Sequence, residues 1–251
     1  MNVIFHKRFY EAYTHDPAAA PGRMEAIVRT LEGEFEFVEP EPALERDLER
    51  VHGRQHVQTV KGDSLVFEIG RLAAGGAILA GEMAFQGQPV FGVIRPPGHH
   101  ASPHSCWGFC YFNNVAIAIK KLLSAGKIKS ALILDFDLHF GDGTSNTFAG
   151  SQEVSYVHPG GANREAYLND LQGNLLNEKK YDIIAVSAGF DRHEDDWGGL
   201  LKTEDYLSIG KWAGKFSIEN CQGRRFGVLE GGYNHSILGR NVKSFLQGFS
   251  D

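Results

Sequence analysis

Three observations predict a three-layer α/β/α fold around a mostly parallel central sheet. Seven short apolar or β-branched runs recur along the 251 residues, most are continuous rather than alternating in polarity, and longer amphipathic stretches separate them. A strand that is apolar on both sides must be covered on both, and parallel neighbours need a crossover long enough to be a helix. With 42% apolar content the chain has enough material for one such core and would be cramped as two, so residues 1–251 are expected to form a single domain.

Taken in chain order, strands are predicted at residues 2–5 and 35–38, with a helix over 23–31 between them. A long helix over 64–85 follows, in which Gly75 and Gly76 permit close packing rather than phosphate binding. A strand at 90–94 leads to a helix over 115–125, whose start is marked by the capping side chains Asn113 and Asn114. Strands at 131–135 and 154–157, a helix over 164–176 and a strand at 183–186 come next. A helix over 203–220 has Thr203 as its cap, followed by acidic residues; a strand at 226–229 and a helix over 236–247 complete the pattern.

Charge and cysteine content narrow the function. A formal net charge of -6 gives no basic face for nucleic-acid phosphates and favours a neutral or cationic substrate. Cys106, Cys110 and Cys221 are odd in number and not spaced CxxC, so neither a disulfide framework nor a cysteine zinc knuckle is suggested. That usage fits a reducing cytoplasm. The first eight residues are charged too early for a signal peptide, and no apolar stretch reads as long enough to cross a membrane, so a soluble protein is expected.

The chemistry is announced by Leu132-Ile133-Leu134-Asp135-Phe136-Asp137-Leu138-His139, an apolar strand ending in three polar residues two apart. In an extended backbone Asp135, Asp137 and His139 share one face, at the strand end where open α/β sheets place ligands. Three other predicted strands also end in polar chemistry: Arg95-Pro96-Pro97-Gly98-His99-His100, Ala188-Gly189-Phe190-Asp191 and Glu230-Gly231-Gly232-Tyr233. Four such loops at one sheet edge would share one pocket.

Asp137, His139 and Asp191 would make a three-ligand site with an open position, the catalytic pattern of zinc; Fe(II) fits the same ligands. Two carboxylates offset the charge of the ion, so water there is acidified less than by three imidazoles and a protein base is needed. His99 and His100 can supply it, one taking a proton and the other helping to protonate a leaving group. Each needs a carboxylate on its far nitrogen, for which Asp135 and Asp142 are available. Tyr233, behind two glycines, could donate to an oxyanion.

These motifs, together with Gly108-Phe109-Cys110-Tyr111-Phe112-Asn113-Asn114 and Gly141-Asp142-Gly143-Thr144, resemble in order those of the zinc-dependent histone deacetylase and acetylpolyamine amidohydrolase superfamily, closest in wording to its class II and bacterial branch. The resemblance covers about residues 50 to 245. It implies the arginase-like α/β fold and hydrolysis of an acetyl or other short acyl group from acetyl-lysine or an acetylated polyamine. It places zinc on Asp137, His139 and Asp191, makes His100 the principal base and His99 its partner, and pairs Asp142 with His100 and Asp135 with His99. Tyr233 would polarise the carbonyl, Gly108, Phe109 and Trp197 would line the substrate channel, and a potassium ion would sit beside the zinc through Asp135, Asp137 and His139.

The chain also departs from the family pattern. The segment between Asp142 and Asp191 is short, which weakens any statement about specificity and raises the expectation of a homo-oligomer whose second copy completes the channel. Phe140 replaces a common histidine and Tyr156 a serine that helps to hold potassium. Trp197 lands near the channel mouth, where it faces substrate or packs as a loop aromatic, and Glu194, Asp195 and Asp196 read as a solvated charge run. His52 and His56 have helical metal spacing without the glutamate of HExxH and are read as scaffold. The competing functional reading is a metal-containing binding protein for acylated amines that performs no catalysis. An arginase-like dinuclear manganese hydrolase would need aspartates that Phe140 and His139 do not supply.

Overall fold

The computed structural model describes residues 1–176 and 179–250. Strand β1 (Asn2–Ile4) leads through two 3₁₀ turns to helix α1 (Arg23–Leu31), β2 (Glu36–Val38), α2 (Glu45–Leu48), α3 (Arg54–Lys61) and α4 (Ser64–Phe85). After β3 (Val90–Gly92) come α5 (Asn114–Ser124), β4 (Ala131–Asp135), α6 (Asp142–Thr147), β5 (Val154–Val157) and α7 (Arg164–Leu175). The described chain ends with β6 (Ile183–Ala188), α8 (Thr203–Asn220), β7 (Arg225–Leu229) and α9 (His235–Ser250).

Among the described residues the strands form one sheet in the order β2-β1-β3-β7-β6-β4-β5, and every pairing is parallel. Strands β3, β4, β6 and β7 are buried along their whole length, as continuous apolar runs require. Helices α4 and α5 pack on each other, as do α1, α8 and α9, giving the expected layers. The order matters most for function: β7 and β6 insert between β3 and β4, so the four strands carrying the polar loops are immediate neighbours.

Several local expectations are met and a few are revised. Asn113 caps α5, its Oδ1 accepting from Ala116 N at 3.1 Å. Thr203 is the first residue of α8 rather than its cap; Lys202 caps it, with its backbone N–H donated to Asp205 Oδ2 at 2.8 Å. At Gly75 a Cβ would overlap the Glu41 carbonyl, and at Gly76 it would lie 2.8 Å from Ile94, so α4 packs closely. Contrary to expectation, α4 is 22 residues long and apolar enough by length and composition to cross a membrane. Its alanines and glycines instead seat it in the core, where 72% of the apolar window is buried.

Candidate active site

The sheet ends at Asp135, so strand alternation does not place the residues after it; a bend does. Asp135 Oδ1 accepts from Asp137 N at 3.1 Å and Asp137 Oδ1 from His139 N at 2.9 Å, each carboxylate satisfying a backbone donor two residues on. Across from it, Asp191 Oδ1 accepts from Leu138 N at 3.0 Å and Asp137 Oδ2 from Gly231 N at 2.8 Å, tying the loops after β4, β6 and β7 together.

One oxygen each of Asp137 and Asp191 and one nitrogen of His139 lie within 4.8 Å of one another. His139 Nδ1 is 3.3 Å from Asp137 Oδ1 and 3.2 Å from Asp191 Oδ2. Both carboxylates are buried, and apart from the His139 ring no donor among the described residues serves Asp191 Oδ2. The pair draws positive charge: bonds to Asp137 and Asp191 push the His139 pKa up to about 9 against the effect of burial. Burial, with Asp137 alongside, lifts Asp191 to about 6. Two buried carboxylates and an imidazole, converging with one oxygen served by that imidazole alone, fit a divalent cation such as zinc.

Facing this cluster are two imidazoles whose rings stand 4.0 Å apart. His99 Nδ1 is 3.1 Å from Asp135 Oδ2, and His100 Nδ1 is 2.6 Å from Asp142 Oδ1. Their surroundings separate them. Burial alone would depress His99, but the charges of Asp137 and Asp135 outweigh it and hold its pKa well above the ordinary histidine value. Burial and the neighbouring His99 depress His100, with Asp142 opposing them.

A cavity of about 120 Å³ connects these groups to solvent, lined by His99, His100, His139, Trp107, Gly108, Phe109, Trp197 and Tyr233 among others. Gly108 has φ +57°, and a Cβ there would overlap the His100 ring, so only glycine lets this backbone lie against the imidazole. Tyr233 stacks on Trp197 with ring centres 4.0 Å apart, and its phenol is held well above its usual range by burial and then by Asp137. A larger cavity of about 320 Å³ lies beside α4 and Leu44, but no imidazole lines it.

Several contributors escape a sequence reading. Glu230, fully buried, accepts from Gly98 N at 2.6 Å and His99 N at 3.1 Å and so holds the histidine loop; burial pushes its pKa up to about 7. Only its place in the quoted Glu-Gly-Gly-Tyr motif hinted at it. Trp107, 56% exposed, lays its ring 4.0 Å from that of His100 and donates its indole N–H to Asp142 Oδ2 at 2.9 Å. Asp196 is no mere solvated charge: its Oδ2 accepts from both Tyr233 N and Asn234 N at 2.8 Å.

The scaffold histidines sit as expected. His52 accepts from Asn113 N at 2.9 Å and faces the Ser102 carbonyl at 3.1 Å, while His56 meets the Tyr111 carbonyl at 2.8 Å. Burial, then His56, lowers the His52 pKa to about 3, so it stays neutral. Around Asp135 the arrangement differs from the family expectation: Tyr156 donates its phenol to Asp135 Oδ2 at 2.9 Å, and Arg192 donates to the carbonyls of Asp137 and Leu138, each at 3.1 Å. Of the groups proposed for potassium, the Asp135 carboxylate and the Asp137 carbonyl thus already serve groups of this chain.

Comparison with known proteins agrees with this picture. The family model of the histone deacetylase domain matches residues 64–167 and 157–249. A probable deacetylase of Methanothermobacter thermautotrophicus is 32% identical over 98% of this chain and 90% of its own length, and one of Archaeoglobus fulgidus is 31% identical over 92% and 81%. The crystal structure of the HDA15 HD domain shares the fold, with a TM-score of 0.85 at 24% identity, covering 98% of this chain and 88% of that one.

Proposed function

The chain belongs to the histone deacetylase family, and from that premise we propose that it is a zinc-dependent amidohydrolase removing an acetyl or other short acyl group from acetyl-lysine or a related small amine, with residues 1–251 as one catalytic domain. One observation carries the reading: two histidines, each with its own carboxylate, face the Asp137, His139 and Asp191 cluster across a narrow aromatic-walled cavity. A non-catalytic binder would have no use for such a pair.

Asp137, His139 and Asp191 would hold the zinc, which when bound polarises the amide carbonyl and makes the attacking water more acidic. His100 has its Nδ1 committed to Asp142, leaving Nε2 free, and its depressed pKa keeps it neutral at pH 7; it takes the proton from water as the new C–O bond forms. His99, pinned by Asp135 and by Glu230 through the loop backbone, supports positive charge beside the reaction. Tyr233, a neutral phenol, donates to the carbonyl oxygen as it gains negative charge. Breaking the C–N bond returns a proton from histidinium to the departing amine, giving a short acid and a free amine. The cavity suits a linear acyl-amine chain.

The test is acid release from a panel of acyl-lysine peptides and acylpolyamines by chelator-stripped and zinc-restored protein. Zinc-dependent release is expected, with His100→Ala keeping its zinc and losing most turnover. Tight binding of an acylated amine with no acid released would overturn the hydrolase reading in favour of the binder.

A further inference from the structure

We propose that the guanidinium of Arg192 stands where a monovalent cation would otherwise serve this site, so that the fold needs no potassium. Three buried carboxylates, Asp135, Asp137 and Asp191, crowd the end of β4, and the bend there takes the carbonyls of Asp137 and Leu138 out of the sheet ladder. Buried carbonyls need donors, and crowded carboxylates need positive charge. Arg192 supplies the donors from within the chain and brings its charge to the same bend.

Its Nε donates to the Asp137 carbonyl and one terminal nitrogen to the Leu138 carbonyl, each at 3.1 Å. The same terminal nitrogen lies 3.2 Å from His158 Nε2, which accepts because burial keeps that imidazole neutral. The guanidinium carbon is 4.5 Å from the centre of the Tyr167 ring, and only 9% of the residue is exposed. Its backbone is anchored too, since Leu200 N and Leu201 N both donate to the Arg192 carbonyl, at 3.0 and 2.8 Å. A planar, permanently charged and weakly hydrated fork suits such a buried post better than an ammonium would.

The Asp135 carboxylate is taken as well. Asp135 Oδ1 accepts from Asp137 N, and Oδ2 accepts from the Tyr156 phenol, which itself accepts from Gly141 N at 2.9 Å. A potassium ion would have to displace these bonds and lie against a charge of its own sign. Arg192 is therefore a positioning residue: it holds the bend that carries Asp137 and His139. Only this functional consequence rests on the hydrolase reading, because potassium binding can be measured without zinc or turnover.

The experiment is thermal unfolding of the zinc-free full chain in potassium chloride and in tetramethylammonium chloride at equal ionic strength, for wild type and for Arg192→Met. The wild-type midpoint should be the same in both salts. Arg192→Met should melt lower in tetramethylammonium and recover part of the loss in potassium, since an ion can then reach the vacated carbonyls. A potassium-specific rise in the wild type overturns the proposal, as does an Arg192→Met protein indifferent to potassium, whose arginine would then be an ordinary structural one. Should Arg192→Met not fold, thallium(I) NMR of the wild type decides: no bound ion is expected, and a bound one overturns the assignment.

Discussion

Replacing Gly231 by Ala should dismantle the proposed metal site while adding one methyl group. The new Cβ would stand 2.6 Å from Asp137 Oδ2 and 2.8 Å from both Cγ and Oδ2 of Asp191, where ordinary contact begins at 3.4 Å. The two carboxylates would therefore have to retreat by about 0.8 and 0.6 Å, against a tolerance of about 0.5 Å for a working constellation. Neither has room: Asp137 already lies where a Cβ on Gly189 would overlap it, and both side chains are buried. The φ of Gly231 is not positive, so backbone strain plays no part; the retreat of Asp137 Oδ2 also lengthens its bond from Gly231 N. Losing a supporting partner of a metal ligand costs about 10–100-fold in affinity, and displacing two ligands should reach the upper end, about 100-fold or 2.7 kcal/mol. Chelator competition measures zinc affinity, and the melting midpoint of the zinc-free protein separates this from general overpacking, which costs about 1–3 kcal/mol. A folded Gly231→Ala protein that binds zinc within about threefold of wild type would refute the ligand assignment.

Two further predictions concern the histidine side of the cavity. The base role proposed for His100 requires it unprotonated, and its pKa lies below the ordinary 6.5, so kcat/KM should climb with pH through a limb centred below that value. Asp142→Asn removes an influence that raises this pKa, so the limb should move further down while the plateau falls; an upward move in the pH profile contradicts the pairing. Trp107→Phe keeps the ring beside His100 but removes the donor to Asp142, and at this half-exposed site should lower kcat by about 3–10-fold with little change in KM. A change confined to KM would make Trp107 a substrate contact instead.

Much of this molecule can be read locally. Continuous apolar runs mark β4, β6 and β7 as buried strands because a two-faced sheet leaves them no solvent side. Aspartate and histidine at the ends of such runs mark the polar cluster at the sheet edge because those side chains have few other reasons to sit there. The pairings of His100 with Asp142 and His99 with Asp135 also appear in the structure as the resemblance implied. The alternation argument for Asp135, Asp137 and His139 does not describe how they are placed, since β4 ends at Asp135 and a bend, not an extended strand, orients Asp137 and His139.

What the residues determine alone is therefore the layers, the loops and the chemical types at the sheet edge, since each depends on periodicity and side-chain chemistry within a few positions. Tertiary structure alone decides that β7 and β6 slip between β3 and β4, bringing four loops side by side. It likewise decides that Trp107 reaches Asp142, that Asp196 grips the Tyr233 loop, and that Arg192 donates to carbonyls some fifty residues earlier in the chain. Such contacts follow from the distances between folded segments, and a hydrogen bond across tens of residues leaves no periodicity in the sequence to announce it.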